Sequence, residues 1–129
     1  MMQRKNFSSG THWESIVGYS RAVRVGDSVY VSGTTATKKE GKIVGAGNPY
    51  TQAIQIIKNI ETALQSVGAA LKDIVRTRIF VTNINSWEEV GKAHAQYFKK
   101  IRPATTLVEV SRLINPEMLV EIEVDALVT

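Results

Sequence analysis

The sequence predicts an α+β protein in which two helices pack on one face of a mixed sheet of five or six strands. Short runs rich in β-branched residues alternate with two longer segments whose apolar residues recur every three or four positions. The resulting order is β-β-α-β-α-β-β, and a sheet covered on one side by helices buries both kinds of apolar surface. The 129 residues are expected to form one domain, 1–129, with an irregular N-terminal arm over 1–15.

The first half of the chain contains a predicted hairpin and a predicted helix. The runs 19–25 and 29–35 read as strands, and Gly26-Asp27 between them is typical of a tight turn. After a polar loop, Asn48 and Pro49 predict a helix start, because asparagine caps helices and proline suits the first turn. The apolar stripe of this helix, which ends before Gly68, consists of Ala53, Ile56, Ile57, Ile60, Leu64 and Val67.

The second half predicts a strand over 74–82, a second helix and two closing strands. Ser86 and Glu89 predict a capping box at the start of the second helix. The apolar stripe of that helix consists of Val90, Ala93, His94, Tyr97 and Phe98. Because His94 lies on this stripe, we expect a partly buried, hydrogen-bonded histidine there and not a metal ligand.

The last strand has two unlike faces. Its apolar side consists of Val120, Ile122, Val124, Ala126 and Val128. Glu121, Glu123 and Asp125 point the other way and must meet water or a partner, because an unpaired buried carboxylate is costly. Arg76 and Arg78 share one face of the strand 74–82 and can pair with these carboxylates. The charged face is therefore expected to be solvated or to form an oligomer interface.

Composition narrows the possible functions. The formal net charge of +4 comes from small basic groups without interleaved aromatic residues, which favours a solvated surface over a nucleic-acid site. There is no cysteine, and His12 and His94 lie far apart, so neither a metal nor a cofactor is expected. No apolar run approaches the ~20 residues that span a bilayer. The basic start has no apolar segment behind it, unlike a signal peptide, so a cytoplasmic protein without a membrane partner is expected.

Several short motifs, taken together and in order, carry a resemblance to a known family. They include Gly18-Tyr19-Ser20-Arg21-Ala22, Val31-Ser32-Gly33 and Pro103-Ala104-Thr105, followed by Val120-Glu121-Ile122-Glu123. Their spacing over residues 16–128 resembles the RidA (YjgF) family, whose members hydrolyse small, reactive enamines and imines. The resemblance implies a chorismate-mutase-like fold and a homotrimer with its pockets at the subunit interfaces.

The same resemblance implies the residues of the pocket. It assigns Tyr19, Ser32, Gly33 and Thr105 to ligand binding and Glu121 to the orientation of the attacking water. In family members with deaminase activity, an arginine at the position of Thr105 holds the substrate carboxylate. A guanidinium donates two parallel hydrogen bonds to a carboxylate, whereas a threonine hydroxyl offers one neutral bond. We therefore expect weak affinity for 2-imino acids and an altered specificity.

Arg21 provides a possible replacement for the missing arginine. It stands where the family segment has a glutamine, and it shares a strand face with Tyr19 by the two-residue alternation of a strand. One hypothesis is that Arg21 binds an anionic group of a small ligand, with Thr34 and Thr105 supplying hydroxyls. The alternative is that Arg21 pairs with a carboxylate such as Glu14.

The sequence leaves four functions open. The first is a hydrolase or deaminase of small imines, enamines or related carbonyl compounds, and the second is a non-catalytic trimeric binder or sensor of metabolites. A ribonuclease or translation inhibitor ranks lower, because no histidine pair or metal cluster is available for phosphodiester cleavage. Holdase-like chaperoning, which also occurs in the family, leaves no motif in the sequence.

Overall fold

The computed structural model describes residues 2–129, which form a six-stranded mixed sheet and three α-helices. The strands are β1 (Arg4–Phe7), β2 (Ala22–Val25), β3 (Ser28–Thr34), β4 (Ile74–Val81), β5 (Ala104–Glu109) and β6 (Val120–Leu127), and the helices are α1 (His12–Val17), α2 (Pro49–Ser66) and α3 (Trp87–Phe98). Across the sheet the order is β1-β2-β3-β6-β4-β5. Only β4 and β5 are parallel neighbours; the other pairs are antiparallel. The predicted fold class is confirmed.

The hydrophobic core lies between the sheet and the helices α2 and α3. The predicted stripe of α2 is buried along its length, and β6 alternates between buried apolar and partly exposed charged residues. The buried residues of these elements include Ile56, Ile57, Ile60, Leu64, Val90, Val120, Ile122 and Val124. Burial of each large aliphatic side chain contributes about 1.5–3 kcal/mol. The charged side of β6 thus lies on the sheet face away from this core.

The predicted start and end of α2 are confirmed, whereas the predicted cap of α3 is not. The Asn48 side chain accepts a hydrogen bond from the Thr51 amide at 3.0 Å and caps α2. Gly68 follows the helix with a φ of 79°, a conformation that glycine adopts without strain. The predicted capping box at Ser86 is wrong, because Ser86 ends a 3₁₀ turn and its side chain caps no amide.

The N-terminal segment is not the irregular arm that the sequence indicated. Residues Arg4–Phe7 form an edge strand that pairs antiparallel with β2, from Arg4 opposite Val25 to Phe7 opposite Ala22. The short helix α1 follows and ends at Gly18, whose φ is 89°. The strand escaped prediction because its residues are exposed except for Phe7, which is partly buried.

A β-bulge near the start of β4 changes the predicted alternation. The pairing with β6 shifts between Ile74 and Arg76, so that Ile74 is buried and Val75 is exposed. Beyond the bulge, Arg78 contacts the carboxylates of Glu123 and Asp125 at 3.2 and 3.4 Å, as the sequence suggested. These pairs are partly exposed and contribute little to stability.

Candidate functional site

The N-terminal segment, β3, the loop that follows it and β6 border a cleft of about 920 Å³. Clefts of this size are typical of small-molecule sites. Six of the seven residues that the sequence assigned to the site line this cleft: Tyr19, Arg21, Ser32, Gly33, Thr34 and Glu121. The seventh, Thr105, lies outside it. The cleft therefore brings Glu121 and most of the predicted binding residues together within one chain.

A β-bulge shapes the floor of the cleft. The register between β3 and β6 shifts between Val31 and Thr34, which places Ser32 and Gly33 in the bulge. Bulges commonly redirect side chains near functional sites. A Cβ atom on Gly33 would collide with the carboxylate oxygen Oε2 of Glu121. The Glu121 carboxylate can therefore occupy its observed position only because residue 33 has no side chain.

Glu121 is the carboxylate with the most unusual electrostatics in the cleft. Burial raises the pKa of the Glu121 carboxyl above its ordinary value, Arg21 lowers it, and Glu123 raises it again, so that the net shift is upward. The side chain is nevertheless only partly buried and borders the cleft. A carboxylate with a raised pKa that opens onto a cleft is suited to general-base chemistry.

Arg21 contacts protein oxygens through all three nitrogen atoms of its guanidinium. Nη1 donates to the Gly33 carbonyl at 2.5 Å and to Thr34 Oγ1 at 3.3 Å, and Nη2 donates to the Tyr19 hydroxyl at 3.2 Å. Nε lies 3.6 Å from Glu14 Oε2. The pairing with Glu14 is the alternative that the sequence left open. A role of Arg21 in binding a ligand stays a prediction.

Glu14 is a buried carboxylate that ties the N-terminal segment to the sheet. Only 4% of the residue is exposed. Its oxygens accept hydrogen bonds from the hydroxyls of Ser8, Ser9 and Thr11 and from the Ser9 amide. Burial raises the pKa of the Glu14 carboxyl, but these hydrogen bonds and the charge of Arg21 outweigh it, so that the net shift is downward. Glu14 is therefore held as an anion by a complete shell of donors.

The hydroxyls of Ser32 and Thr34 also donate their hydrogen bonds to groups of the protein itself. Ser32 Oγ donates to the Ser20 carbonyl at 2.7 Å, and Thr34 Oγ1 donates to the Ser32 carbonyl at 2.8 Å. These bonds hold the bulge in place. Both residues line the cleft as predicted, and their contacts with a ligand stay predictions.

Thr105 lies on β5, the outermost strand at the far edge of the sheet, and β4 separates it from β6. Its Oγ1 is 2.8 Å from Thr77 Oγ1, which is in turn 3.0 Å from His94 Nε2. Thr77 is fully buried, and burial lowers the pKa of the His94 imidazole, so that the ring is neutral at pH 7. The expectation of a partly buried, hydrogen-bonded His94 is confirmed. Within one chain, Thr105 and Glu121 do not share a cavity.

Sequence reasoning missed the hydroxyl cluster around Glu14. Ser8, Ser9 and Thr11 stand close before Glu14 in the sequence, but the segment was expected to be irregular. The density of hydroxyl residues ahead of an apolar helix was the available signal. Trp13 also lines the cleft, so that α1 contributes an aromatic wall.

Within residues 2–129, no group of three or more histidine, aspartate or glutamate side chains is arranged to hold a metal ion. Over the same range, no helix has the length and apolar character needed to cross a membrane.

Comparisons with known proteins agree with this architecture. The family model described as Endoribonuclease L-PSP matches residues 10–128. An uncharacterized protein of Streptomyces coelicolor is 36% identical over 122 residues, covering 95% of this chain and 90% of that protein. The crystal structure of a Mycobacterium tuberculosis member of the YjgF/YER057c/UK114 family has a TM-score of 0.90 at 52% identity, covering 98% of this chain and 100% of that one. A Rid-family protein of Yersinia pestis gives a TM-score of 0.86 at 36% identity, covering 98% and 100%.

A six-stranded mixed sheet with two helices on one face, and a cleft that contains a carboxylate, define a small α+β binding protein. The chain belongs to the endoribonuclease L-PSP family, which is also called the YjgF or Rid family and consists of small-molecule-binding proteins that are generally oligomeric. The resemblance seen in the sequence is thereby confirmed.

Proposed function

We propose that this chain is a cytoplasmic RidA-family hydrolase that acts on a small imine, enamine or related carbonyl compound, with a specificity altered by Thr105. The observation that carries the proposal is the position of Glu121. Its carboxylate borders the cleft beside Gly33, and its pKa is raised. The resemblance to the RidA family suggests the reaction class, and the position of Glu121 in the cleft supports a role as the base.

In the proposed reaction, the Glu121 carboxylate takes a proton from a water molecule while the water oxygen attacks the imine carbon. The Glu121 carboxyl then returns this proton to the nitrogen, the carbon–nitrogen bond breaks as the new hydroxyl group gives up its proton to the departing nitrogen, and ammonia and a carbonyl compound remain. A general base works best when its pKa approaches the operating pH, and burial moves Glu121 in that direction. Turnover should therefore fall as the pH drops through the pKa of Glu121.

The proposal includes a homotrimer whose clefts are completed by a neighbouring subunit. Two features support it besides the family resemblance. Thr105 is exposed at the edge of the sheet, away from the cleft of its own chain. Val17 and Ile114 line the cleft although 70% and 71% of these apolar residues are exposed. Exposed apolar residues beside a cleft suit a surface that a second subunit covers.

A comparison of two carboxylate variants tests the role of Glu121. The Glu121→Gln variant should release ammonia from small imines at least about 100-fold more slowly than wild type, because general bases contribute 10²–10⁴-fold. Asp125→Asn is the matched control, because Asp125 lies on the same face of β6 and does not line the cleft. Wild-type turnover in Glu121→Gln would refute the proposed mechanism. Hydrolysis of 2-iminopropanoate at the rate of arginine-bearing relatives would refute the altered specificity.

Subunit complementation tests the shared cleft. Thr105→Trp should block the cleft of the neighbouring subunit, and Glu121→Gln should inactivate its own. Mixed trimers of these two inactive variants contain some clefts with both native residues, so that activity should return on mixing. If mixing restores nothing and the chain is a monomer by light scattering, the intersubunit cleft is excluded.

A non-catalytic trimeric binder or sensor is the second candidate, and Thr105 favours it. The resemblance implies an arginine at this position in the family's deaminases, whereas here the position holds Thr105, whose hydroxyl is hydrogen-bonded to that of Thr77. Saturable ligand binding that Glu121→Gln leaves intact, without turnover of any imine, would select this candidate. The ribonuclease alternative ranks lower, because His12 and His94 lie on different helices, α1 and α3. Absence of RNA binding at low salt would reject it.

A further inference from the structure

The chain Thr105–Thr77–His94 limits what Thr105 can offer a ligand. It links β5, β4 and α3 through contacts of 2.8 Å between the two hydroxyls and 3.0 Å between Thr77 Oγ1 and His94 Nε2. Thr105 Oγ1 also lies 3.2 Å from the Pro103 carbonyl oxygen, to which it can donate. Thr77 is fully buried, so its hydroxyl depends on these partners.

The protons along this chain can run in two directions. If His94 Nε2 accepts from Thr77, then Thr77 accepts from Thr105, and the Thr105 proton points inward. If the neutral His94 instead donates from Nε2, then Thr77 donates to Thr105, and the Thr105 proton goes to the Pro103 carbonyl. In both cases the protein uses the only proton of the Thr105 hydroxyl. At least one lone pair of Oγ1 stays free, because a hydroxyl has one donor and two acceptor sites.

An arginine at this position would behave in the opposite way. A guanidinium carries five donors and no acceptor, which suits a carboxylate. Thr105 can donate outward only by giving up one of its internal hydrogen bonds. It also carries no charge that would compensate an anion. The exchange of arginine for threonine therefore reverses the hydrogen-bonding character of this wall and does more than weaken it.

We propose that Thr105 presents a hydrogen-bond acceptor to the ligand, so that the favoured ligand carries a neutral N–H donor, a primary amide, where arginine-bearing relatives hold a carboxylate. This inference rests on the proposed function, in which Thr105 completes the cleft of a neighbouring subunit. Thr77 and His94 act as positioning residues, since they hold the hydroxyl and do not touch the ligand.

Pyruvamide and pyruvate form a suitable pair of probes, because they differ only in an amide against a carboxylate. Binding of each to the intact protein is followed by NMR at the amides of Thr105 and Gly33. Wild type should bind pyruvamide more tightly, by about two- to tenfold, the range expected for one neutral hydrogen bond. Thr105→Val keeps the shape, removes the acceptor and should bring the ratio of affinities near one. Thr106→Val, a neighbouring exposed position on the opposite face of β5, should leave the ratio unchanged.

Thr77→Val provides a second test that leaves Thr105 in place. Valine fills the same buried space, and loss of the Thr77 hydroxyl frees the Thr105 proton from one internal partner. The ratio of affinities should then move toward pyruvate. A role of Thr77 in stability alone would weaken both probes equally and leave the ratio unchanged, which would overturn the positioning role.

The outcomes separate this inference from the proposed function. If pyruvate binds as tightly as pyruvamide or more tightly and perturbs Gly33, the cleft is a ligand site and the acceptor role of Thr105 is overturned. A preference for pyruvamide that survives in Thr105→Val also overturns it. If neither compound perturbs Gly33 or Thr105, the proposed function fails together with the inference.

Discussion

Arg21 and Thr105 are both polar residues that the sequence assigned to a ligand, yet the protein uses them differently. The guanidinium of Arg21 contacts Glu14, Tyr19 and Gly33 through its three nitrogen atoms. The hydroxyl of Thr105 donates its hydrogen bond to another group of the protein and keeps a lone pair free to accept one. The number of unused donors and acceptors, more than the polarity of a side chain, thus determines what it can offer a ligand.

The Glu14–Arg21 pair and the cluster of Thr105, Thr77 and His94 should also contribute differently to the stability of the protein. The Glu14–Arg21 pair is charged and almost entirely buried, so removal of one partner leaves an uncompensated ion. The Thr105 cluster is neutral, and Thr105 itself is exposed. Removal of the Thr105 hydroxyl should therefore change ligand preference with little effect on stability.

The largest expected effect follows from breaking the buried pair. Glu14→Ala should lower the free energy of unfolding by about 3–5 kcal/mol, because Arg21 loses its counter-ion and three hydroxyls lose their acceptor. Denaturation with urea measures the change. Glu40→Ala, at an exposed glutamate, is the control and should stay within about 0.5 kcal/mol of wild type. Equal changes in both variants would contradict the importance of the pair.

Gly33→Ala should separate the geometry of the cleft from its charge. The added methyl group displaces the Glu121 carboxylate without removing it, and a misplaced catalytic group can cost about 100-fold in rate. Stability should change little, because the displaced atoms are the end of a flexible side chain. Gly91→Ala is the matched control: nothing lies near its Cβ, and alanine in α3 should stabilise by about 0.5–1 kcal/mol. Undiminished turnover in Gly33→Ala would show that Glu121 need not occupy its observed position.

The pH dependence of stability should have opposite signs for Glu14, which is buried, and Glu121, which lines the cleft. The pKa of Glu14 is lowered, so its contribution is present above its ordinary pKa near 4.5 and is lost as the pH falls through the folded-state pKa. The pKa of Glu121 is raised, so stability is lost as the pH rises from near 4.5 through the folded-state pKa.

Thermal unfolding from pH 3 to 8 tests both signs. Glu14→Gln should flatten the acid limb of the stability curve. Glu121→Gln should stabilise the protein at neutral pH, where wild type carries a partly buried anion. A Glu121→Gln variant that is less stable than wild type at neutral pH would contradict the assigned environment of this carboxyl.

The core of the fold could be predicted because its apolar residues repeat with a clear period. The stripe of α2 and the alternation of β6 each specify one buried face. The strand Arg4–Phe7 has no such period, because only Phe7 is partly buried, and it forms by pairing with the edge of β2. The bulge at Val75 likewise depends on pairing with β6, which a single segment does not encode.

The candidate site was predictable as a set of positions but not as a set of contacts. The family resemblance placed Tyr19, Gly33 and Glu121 together, and they line one cleft. It could not show whether Arg21 faces a ligand or Glu14, because that choice depends on how the N-terminal segment folds back. The partners of Thr105 depend on the parallel pairing of β5 with β4, which places it beside Thr77.

The central claim is that the Arg21 guanidinium is occupied by partners within the protein, Glu14 above all, and is not free for a ligand. The coupling free energy between Glu14 and Arg21 tests this claim most directly, and a double-mutant cycle measures it. Glu14→Gln, Arg21→Met and the double variant are compared with wild type by urea unfolding. If Arg21 serves mainly to balance Glu14, the double variant should be more stable than the sum of the single changes predicts, by about 0.5–3 kcal/mol. Strictly additive losses in the free energy of unfolding would show that the two side chains act independently. That result would contradict the claim and favour the hypothesis that Arg21 binds a ligand.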